Sequence, residues 1–238
     1  MQQTLPGLDP AQAKAAPVTR KVLIAGATGL VGGLILQGLI EDATVGEVHA
    51  LVRRELAVRH PKLFTHVIDF KSIPALPPVD EVYLALGTTI RQAGSRAAFR
   101  AVDFDANLAV ARAALMSGAK RIGLVSAYSA NAGASIFYTR VKGELEDALN
   151  LLSTETLVIA RPSFLLGDRD ALKQPSRYGE KMGIWLSKLL NPLLPANYRP
   201  VEARKVANGL LAMVPSCHGK MILLSKDIQH FDTPSSIR

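Results

Sequence analysis

Val22-Leu-Ile-Ala25-Gly26-Ala-Thr28-Gly29-Leu30-Val31-Gly32 is the stretch that decides the fold of this 238-residue chain. A short apolar run ends at a glycine, two more glycines follow at three-residue spacing, and an uncharged pattern continues to Ile40. The reading is a buried strand, a tight turn and the start of a helix. In this G-x-x-G-x-x-G spacing, Gly26 permits the turn and Gly29 lets the backbone approach a pyrophosphate. Gly32 lets the helix pack closely on the strand. The helix start presents free N–H groups and the positive end of its dipole to phosphates. Thr28, Leu30 and Val31 therefore join the three glycines as candidate cofactor-binding residues. No Gly-Lys-Ser/Thr follows, which disfavours a P-loop. The uncharged run 22–40 is long enough to span a bilayer, but its five glycines fit a strand, turn and helix better. No membrane partner is expected.

Outward from this turn, short apolar runs alternate with helical patterns. Strands are expected over 21–25, 45–52, 66–69, 81–86, 121–125, 156–160 and 220–224. Helices are expected over 30–40, 99–116, 138–152 and 201–214, with Gly118 closing the second. Such alternation implies βαβ units with right-handed crossovers. The expected class is α/β: a doubly wound parallel-sheet Rossmann fold with a small C-terminal substrate-facing excursion. Residues 1–19 read as a flexible tail and 20–238 as one domain. The proline-rich segment 163–200 is the excursion, carrying one helix over 181–190.

The second strand ends Leu51-Val52-Arg53-Arg54. An NAD site usually carries an acidic residue there to hold the ribose 2′-hydroxyl. Two guanidiniums match a 2′-phosphate instead, so NADP(H) is the expected cofactor. Asp69, after the third strand, suits either the adenine edge or a strand-end turn. Tyr138 and Lys142 stand at i and i+4, one turn apart on a helix face. A phenol ionises near pH ~10, and a neighbouring ammonium favours its phenolate, which suits acid–base work on a carbonyl or alcohol. Ser126, at the end of the fifth strand, can hydrogen-bond a substrate carbonyl, with Ser129 close enough to compete. A strand-end turn is the plain alternative for both.

Together these features resemble the short-chain dehydrogenase/reductase superfamily, in its extended or atypical branch, over most of 21–161. Leu84-Ala-Leu-Gly87-Thr88-Thr89, the helix 103–116 and Tyr138-Thr-Arg-Val-Lys142-Gly-Glu look like the Tat-interactive-protein-like oxidoreductases. The resemblance implies a Rossmann domain binding NAD(P), with Tyr138 as acid/base. Lys142 would hold the nicotinamide ribose and tune Tyr138, and Ser126 would orient the substrate. It implies that Gly87, Thr88 and Thr89 line the cofactor, and that Pro162 of Arg161-Pro162-Ser163 lies beside the nicotinamide. Asn107 matches a structural or proton-relay asparagine of related enzymes. One departure stands out: members often carry consecutive serines after the fifth strand, and here the segment reads Ser126-Ala127-Tyr128-Ser129. An alignment of the catalytic serine with Ala127 breaks the triad.

Composition narrows the rest. The apolar fraction of 48% suits a globular chain. The single cysteine, Cys217, excludes an internal disulfide framework and a cysteine zinc site. With no apolar leader segment, it points to the cytoplasm. The five histidines show no H-x-x-x-H spacing, so no metal is expected. The net charge of +8 raises nucleic acid as a partner. Arg53 and Arg54 account for part of it. The segment 169–205, with eight basic and three acidic residues, accounts for more. No nucleic-acid partner is therefore expected. The expected function is an NADP(H)-dependent oxidoreductase acting on a small molecule, anionic by one reading, with epimerase or dehydratase chemistry open. A homodimer is compatible with this. The alternative is a non-catalytic NADP(H)-binding regulatory or sensor protein acting through partners.

Overall fold

The computed structural model describes residues 19–166 and 200–232. Its centre is a seven-stranded, wholly parallel sheet in the order β3-β2-β1-β4-β5-β6-β9. The strands are β1 (Arg20–Ala25), β2 (Val45–Val52), β3 (Leu63–Val67), β4 (Glu81–Leu84), β5 (Arg121–Val125), β6 (Thr156–Arg161) and β9 (Gly219–Leu224). Strand order reverses between β1 and β4. That reversal opens a crevice outside the carboxyl ends of the strands, where ligands of open α/β sheets bind. The expected doubly wound parallel architecture is the one observed.

Beyond their first residues the central strands β1, β4 and β5 are apolar because both of their faces are covered. Val22 and Ile24 face one layer, with α1 (Leu30–Glu41) and α6 (Ala203–Ser216) supplying Ile35, Leu39, Val206 and Leu210. Leu23 and Ala25 face the other, against α4 (Asn107–Met116) and α5 (Phe137–Asn150), which supply Ala111, Ala114, Leu145 and Leu149.

Some expected boundaries shift. The third strand is Leu63–Val67, not 66–69. It is an edge strand, half exposed at Phe64 and Val67, so it lacks the continuous apolar run of its buried neighbours. Val201–Glu202 is not helical; as β8 it pairs with β7 (Leu165–Leu166), and α6 starts at Ala203. The expected helix over 99–116 is continuous but not α-helical throughout. Short helices α2 (Ile90–Ala93) and α3 (Arg96–Arg100) lead into a π-helical turn, Ala101–Ala106, before α4. A last short helix, α7 (Ser225–Ile228), follows β9. Among the described residues, no helix is long and apolar enough to cross a membrane. The helix expected over 181–190, most of the 163–200 excursion and the tail expected over 1–19, apart from its last residue, lie outside the described residues.

Candidate active site

The glycine turn sits at the carboxyl end of β1, inside the crevice. Gly26 has φ +94°, and a Cβ there would lie 2.3 Å from the Ala85 carbonyl oxygen. The turn closes by a hydrogen bond from Gly29 N to Gly26 O at 2.8 Å. A Cβ on Gly32 would lie 2.1 Å from that same Gly26 oxygen. Gly26 and Gly32 are thus forced by internal packing. Gly29 is looser, its nearest Cβ contact being 3.2 Å.

Gly29 is also the N-cap of α1 and supplies no side-chain cap. The first helical bond runs from Gly33 N to Gly29 O, so the amides of Leu30, Val31 and Gly32 precede the helical ladder. Leu30 and Val31 bury their side chains in the core, leaving their backbone N–H groups as what they can offer a ligand. Thr28 is exposed on the turn. An uncapped helix start on a glycine turn fits the diphosphate of a dinucleotide.

Arg53 and Arg54 follow β2, which pairs with β1, and both are exposed. The Asp69 side chain accepts a hydrogen bond from Lys71 N at 3.0 Å, and Ser72 N bonds its carbonyl. Of its two readings, the strand-end turn is the one with partners.

At the end of β4, Thr89 caps α2 by accepting from Gln92 N. Thr88 N donates to Asp103 Oδ2 at 2.9 Å. A Cβ on Gly87 would sit 3.5 Å from Asp103 Oδ1 and 3.9 Å from Lys142 Nζ. This loop therefore lies directly over a buried ion pair. Lys142 Nζ is 2.8 Å from Asp103 Oδ1, with the two side chains 5% and 1% exposed. Burial alone would lower the Lys142 ammonium. Attraction to Asp103, then Tyr138 and Glu146, outweighs it and raises the lysine above its ordinary range.

Tyr138, Lys142 and Glu146 occupy successive turns of one α5 face. The Tyr138 ring packs on the fully buried Phe99, with centroids 5.5 Å apart. Asp103 comes from the π-helical turn, a feature frequent at functional sites. Asn107 ties that turn down: its Nδ2 donates to the carbonyls of Leu86, Val102 and Asp103, each at 3.2 Å. Asn107 is thus a strut between the β4 loop and the π turn.

The Ser126 hydroxyl donates to Glu146 Oε1 at 2.5 Å. Arg161 grips the same carboxylate, its Nε reaching both oxygens at 3.1 Å and a second nitrogen pairing with Oε2. The structure joins Ser126 to Glu146 and Arg161, while Lys142 joins Asp103. The next residue, Ala127, carries no hydroxyl, and the exposed Ser129 adopts φ +61°. The Pro162 carbonyl accepts from Tyr128 N at 2.8 Å, and Ser163 N donates to Ser225 Oγ, which ties the loop after β6 to the residue after β9. Sequence reasoning missed Asp103 and Glu146. Glu146 was signalled by its four-residue spacing from Lys142; Asp103 had no local signal, because its partners are distant in sequence.

No family model matches the chain. The FMP52 protein of Eremothecium gossypii, named as mitochondrial, is 37% identical over 173 residues, covering 71% of this chain and 75% of that protein. The Candida albicans protein of the same name is 35% identical over 208 residues, covering 79% and 90%. A UDP-glucose 4-epimerase from Thermotoga maritima has a similar fold, with TM-score 0.63 and 14% identity over 90% of this chain and 84% of its own. A short-chain dehydrogenase/reductase superfamily protein from Agrobacterium tumefaciens, solved with bound NAD, gives TM-score 0.63 at 17% identity, covering 86% and 77%. The fold is thus the Rossmann fold of dehydrogenase/reductase and epimerase enzymes. The expected cytoplasmic address is overturned by the relatives, which are named mitochondrial. A cysteine count speaks of redox environment rather than of compartment, and the lack of an apolar leader bears only on secretion. On the extent and identity of these sequence matches, the chain belongs to the FMP52 family.

Proposed function

We propose that this protein is an NADP(H)-dependent oxidoreductase of the short-chain dehydrogenase/reductase type, with Tyr138 as acid/base. The observation that carries the reading is the buried Lys142 beneath the Gly87-Thr88 loop, one helical turn from Tyr138. Its pairing with Asp103 keeps this lysine charged although buried, beside the Gly87 backbone just after β4, a strand that borders the crevice. When bound, the nicotinamide gives or takes a hydride at C4. The chain supplies the rest. The α1 amides hold the diphosphate, and Arg53 and Arg54 meet a 2′-phosphate. Lys142 holds the nicotinamide ribose. Tyr138 moves a proton at its Oη to or from the substrate oxygen. The Tat-interactive-protein-like pattern of Gly87-Thr88-Thr89 and Tyr138–Lys142 supports this assignment. Mitochondria are its proposed site of action, a reading supported by the relatives' names.

A second reading has its own observation. Ser126 spends its hydroxyl on Glu146, and Ala127 has none to give. That favours a non-catalytic NADP(H) sensor. Two experiments separate these readings. Affinities for NADPH and NADH are measured on the wild type and Arg53→Ala; the wild type is expected to prefer NADPH and the variant to lose the preference. Equal wild-type affinities refute the 2′-phosphate role. NADPH oxidation is then followed against a panel of aldehydes and ketones. Turnover abolished by Tyr138→Phe supports the enzyme, whereas tight binding without turnover supports the sensor.

A further inference from the structure

We propose that Arg96 and Arg140 form an anion-binding subsite beside Tyr138, so that the substrate carries a carboxylate or phosphate group. The proposal rests on the acid/base reading of Tyr138 and deepens it by naming a chemical feature of the substrate.

Both guanidiniums sit over one ring. Arg96, the first residue of α3, holds its Cζ 5.3 Å from the Phe137 centroid. Arg140, one turn along α5 from Phe137, holds its Cζ at 5.7 Å. Phe137 precedes Tyr138 in sequence, and the buried Phe99 ring packs against both, with centroids 5.9 Å and 5.5 Å away. One aromatic cluster thus carries the phenol and the two cations.

A guanidinium laid on a ring face is held by cation–π attraction and keeps its N–H edge for other partners. Arg140 spends one nitrogen: its Nη1 donates to the carbonyls of Ala134 and Ser135 at 3.0 and 3.4 Å. That pins the side chain to the loop before α5 and leaves Nε and Nη2 to donate. Among the described residues, Arg96 makes no side-chain hydrogen bond or ion pair, and Arg140 meets no carboxylate. Their neighbour Arg100 shows the contrast. It stacks on Phe104 at 4.3 Å and is paired with Glu144, so its charge is already answered. Nor do the surrounding elements supply a counter-charge: α2, α3 and α5 as far as Gly143 contain no acidic residue. Two seated guanidiniums with open donor edges suit the oxygens of a carboxylate or phosphate, which such forks take in bidentate fashion.

The test is a ligand-observed NMR titration of the NADPH-saturated protein with butanoate, butyl phosphate and butan-1-ol. Filling the dinucleotide site keeps the anions from its diphosphate turn. The wild type is expected to bind at least one anion more tightly than the alcohol, and the tighter of the two tells carboxylate from phosphate. Arg96→Gln and Arg140→Gln are each expected to weaken that anion about 5-fold and to leave the alcohol unmoved. Arg112→Gln, an equal loss of charge at an exposed position of α4, is expected to leave all three unchanged. Arg96 has no side-chain hydrogen bond to lose, so its variant carries the test if Arg140→Gln unsettles the loop before α5. Anions bound no better than the alcohol, or weakened no more by Arg96→Gln than by Arg112→Gln, overturn the proposal. Turnover separates it from the reading on which it rests. The KM for 4-oxobutanoate is expected to lie below that for butanal in wild type, and the gap to close in Arg96→Gln while kcat for butanal holds. Arginine-dependent anion binding with no reduction of either aldehyde refutes the acid/base reading and leaves the anion site standing.

Discussion

Alanine at Gly32 and alanine at the adjacent Gly33 are expected to change stability in opposite directions. Both lie in the first turn and a half of α1, and in a helix alanine is favoured over glycine by about 1 kcal/mol. At Gly33 a Cβ would meet Ala27 O at 3.4 Å, an ordinary contact, so that gain is expected nearly in full. At Gly32 the Cβ would fall 2.1 Å from Gly26 O and 2.7 Å from Gly26 C. The first overlaps by about 1.2 Å against a normal carbon–oxygen contact of about 3.3 Å. Both neighbours are backbone atoms of a turn that is itself wedged against Ala85, so neither can step aside cheaply. Overpacking of this kind costs about 3 kcal/mol at the upper end of its usual range. After the helix-propensity gain, a net loss of about 2 kcal/mol remains. The two variants should differ by about 3 kcal/mol, which at a urea slope of about 3 kcal/mol/M separates their midpoints by about 1 M. Urea denaturation followed by circular dichroism reads this. A Gly32→Ala protein as stable as Gly33→Ala would refute the claim that Gly32 is fixed by helix–turn contact.

At the amino ends of the central strands, Glu81 is fully buried and held by Arg20 at 2.7 Å and by the Tyr83 hydroxyl at 3.3 Å, with Arg121 at 3.8 Å. Glu81→Ala takes one carboxylate from Arg20, which keeps Asp42, and the nearest one from Arg121, and is expected to cost about 3 kcal/mol, while Tyr83→Phe is expected to cost about 1 kcal/mol; denaturation midpoints check both. Burial, and then the neighbouring His49, lowers His66 below its ordinary value of 6.5. The folded state therefore binds that proton less tightly than the unfolded chain, and stability falls as pH drops below 6.5. Melting temperatures at pH 7 and pH 5 should show a loss in wild type that shrinks in His66→Gln. Lys142 carries the opposite sign. Its raised value means that its contribution is fully present at neutral pH and is lost only as pH climbs past the ordinary lysine range. Guanidinium unfolding between pH 7 and pH 11 should show that loss in wild type but not in Lys142→Met.

Much of the scaffold was readable because parallel strands covered on both faces become continuous apolar runs. β1 and β5 announce themselves this way, and the glycines after β1 report a backbone contact that only glycine allows. β3 is harder because an edge strand leaves Phe64 and Val67 half exposed and blurs the run. The π turn at 101–106 is invisible to a 3.6-residue period, since its extra residue sits inside an otherwise helical pattern. That same turn delivers Asp103, whose partners Thr88 and Lys142 lie 15 and 39 residues away. Tyr138 and Lys142 were legible because helical spacing alone puts them on one face. Ser126 shows the limit of that logic. Its place at the end of β5 suggested a substrate contact, but the direction of its hydroxyl depends on Glu146 and Arg161, which only the tertiary structure brings to it.

The central claim is that the crevice between β1 and β4 receives a nicotinamide dinucleotide whose reactive end lies against Tyr138 and Lys142. A crystal structure of the protein with NADPH tests it most directly. The account predicts the diphosphate on the Gly26–Gly32 turn, and Tyr138 Oη and Lys142 Nζ within hydrogen-bond distance of the nicotinamide ribose. A dinucleotide bound elsewhere, or a Tyr138 hydroxyl turned away from the nicotinamide, would contradict it.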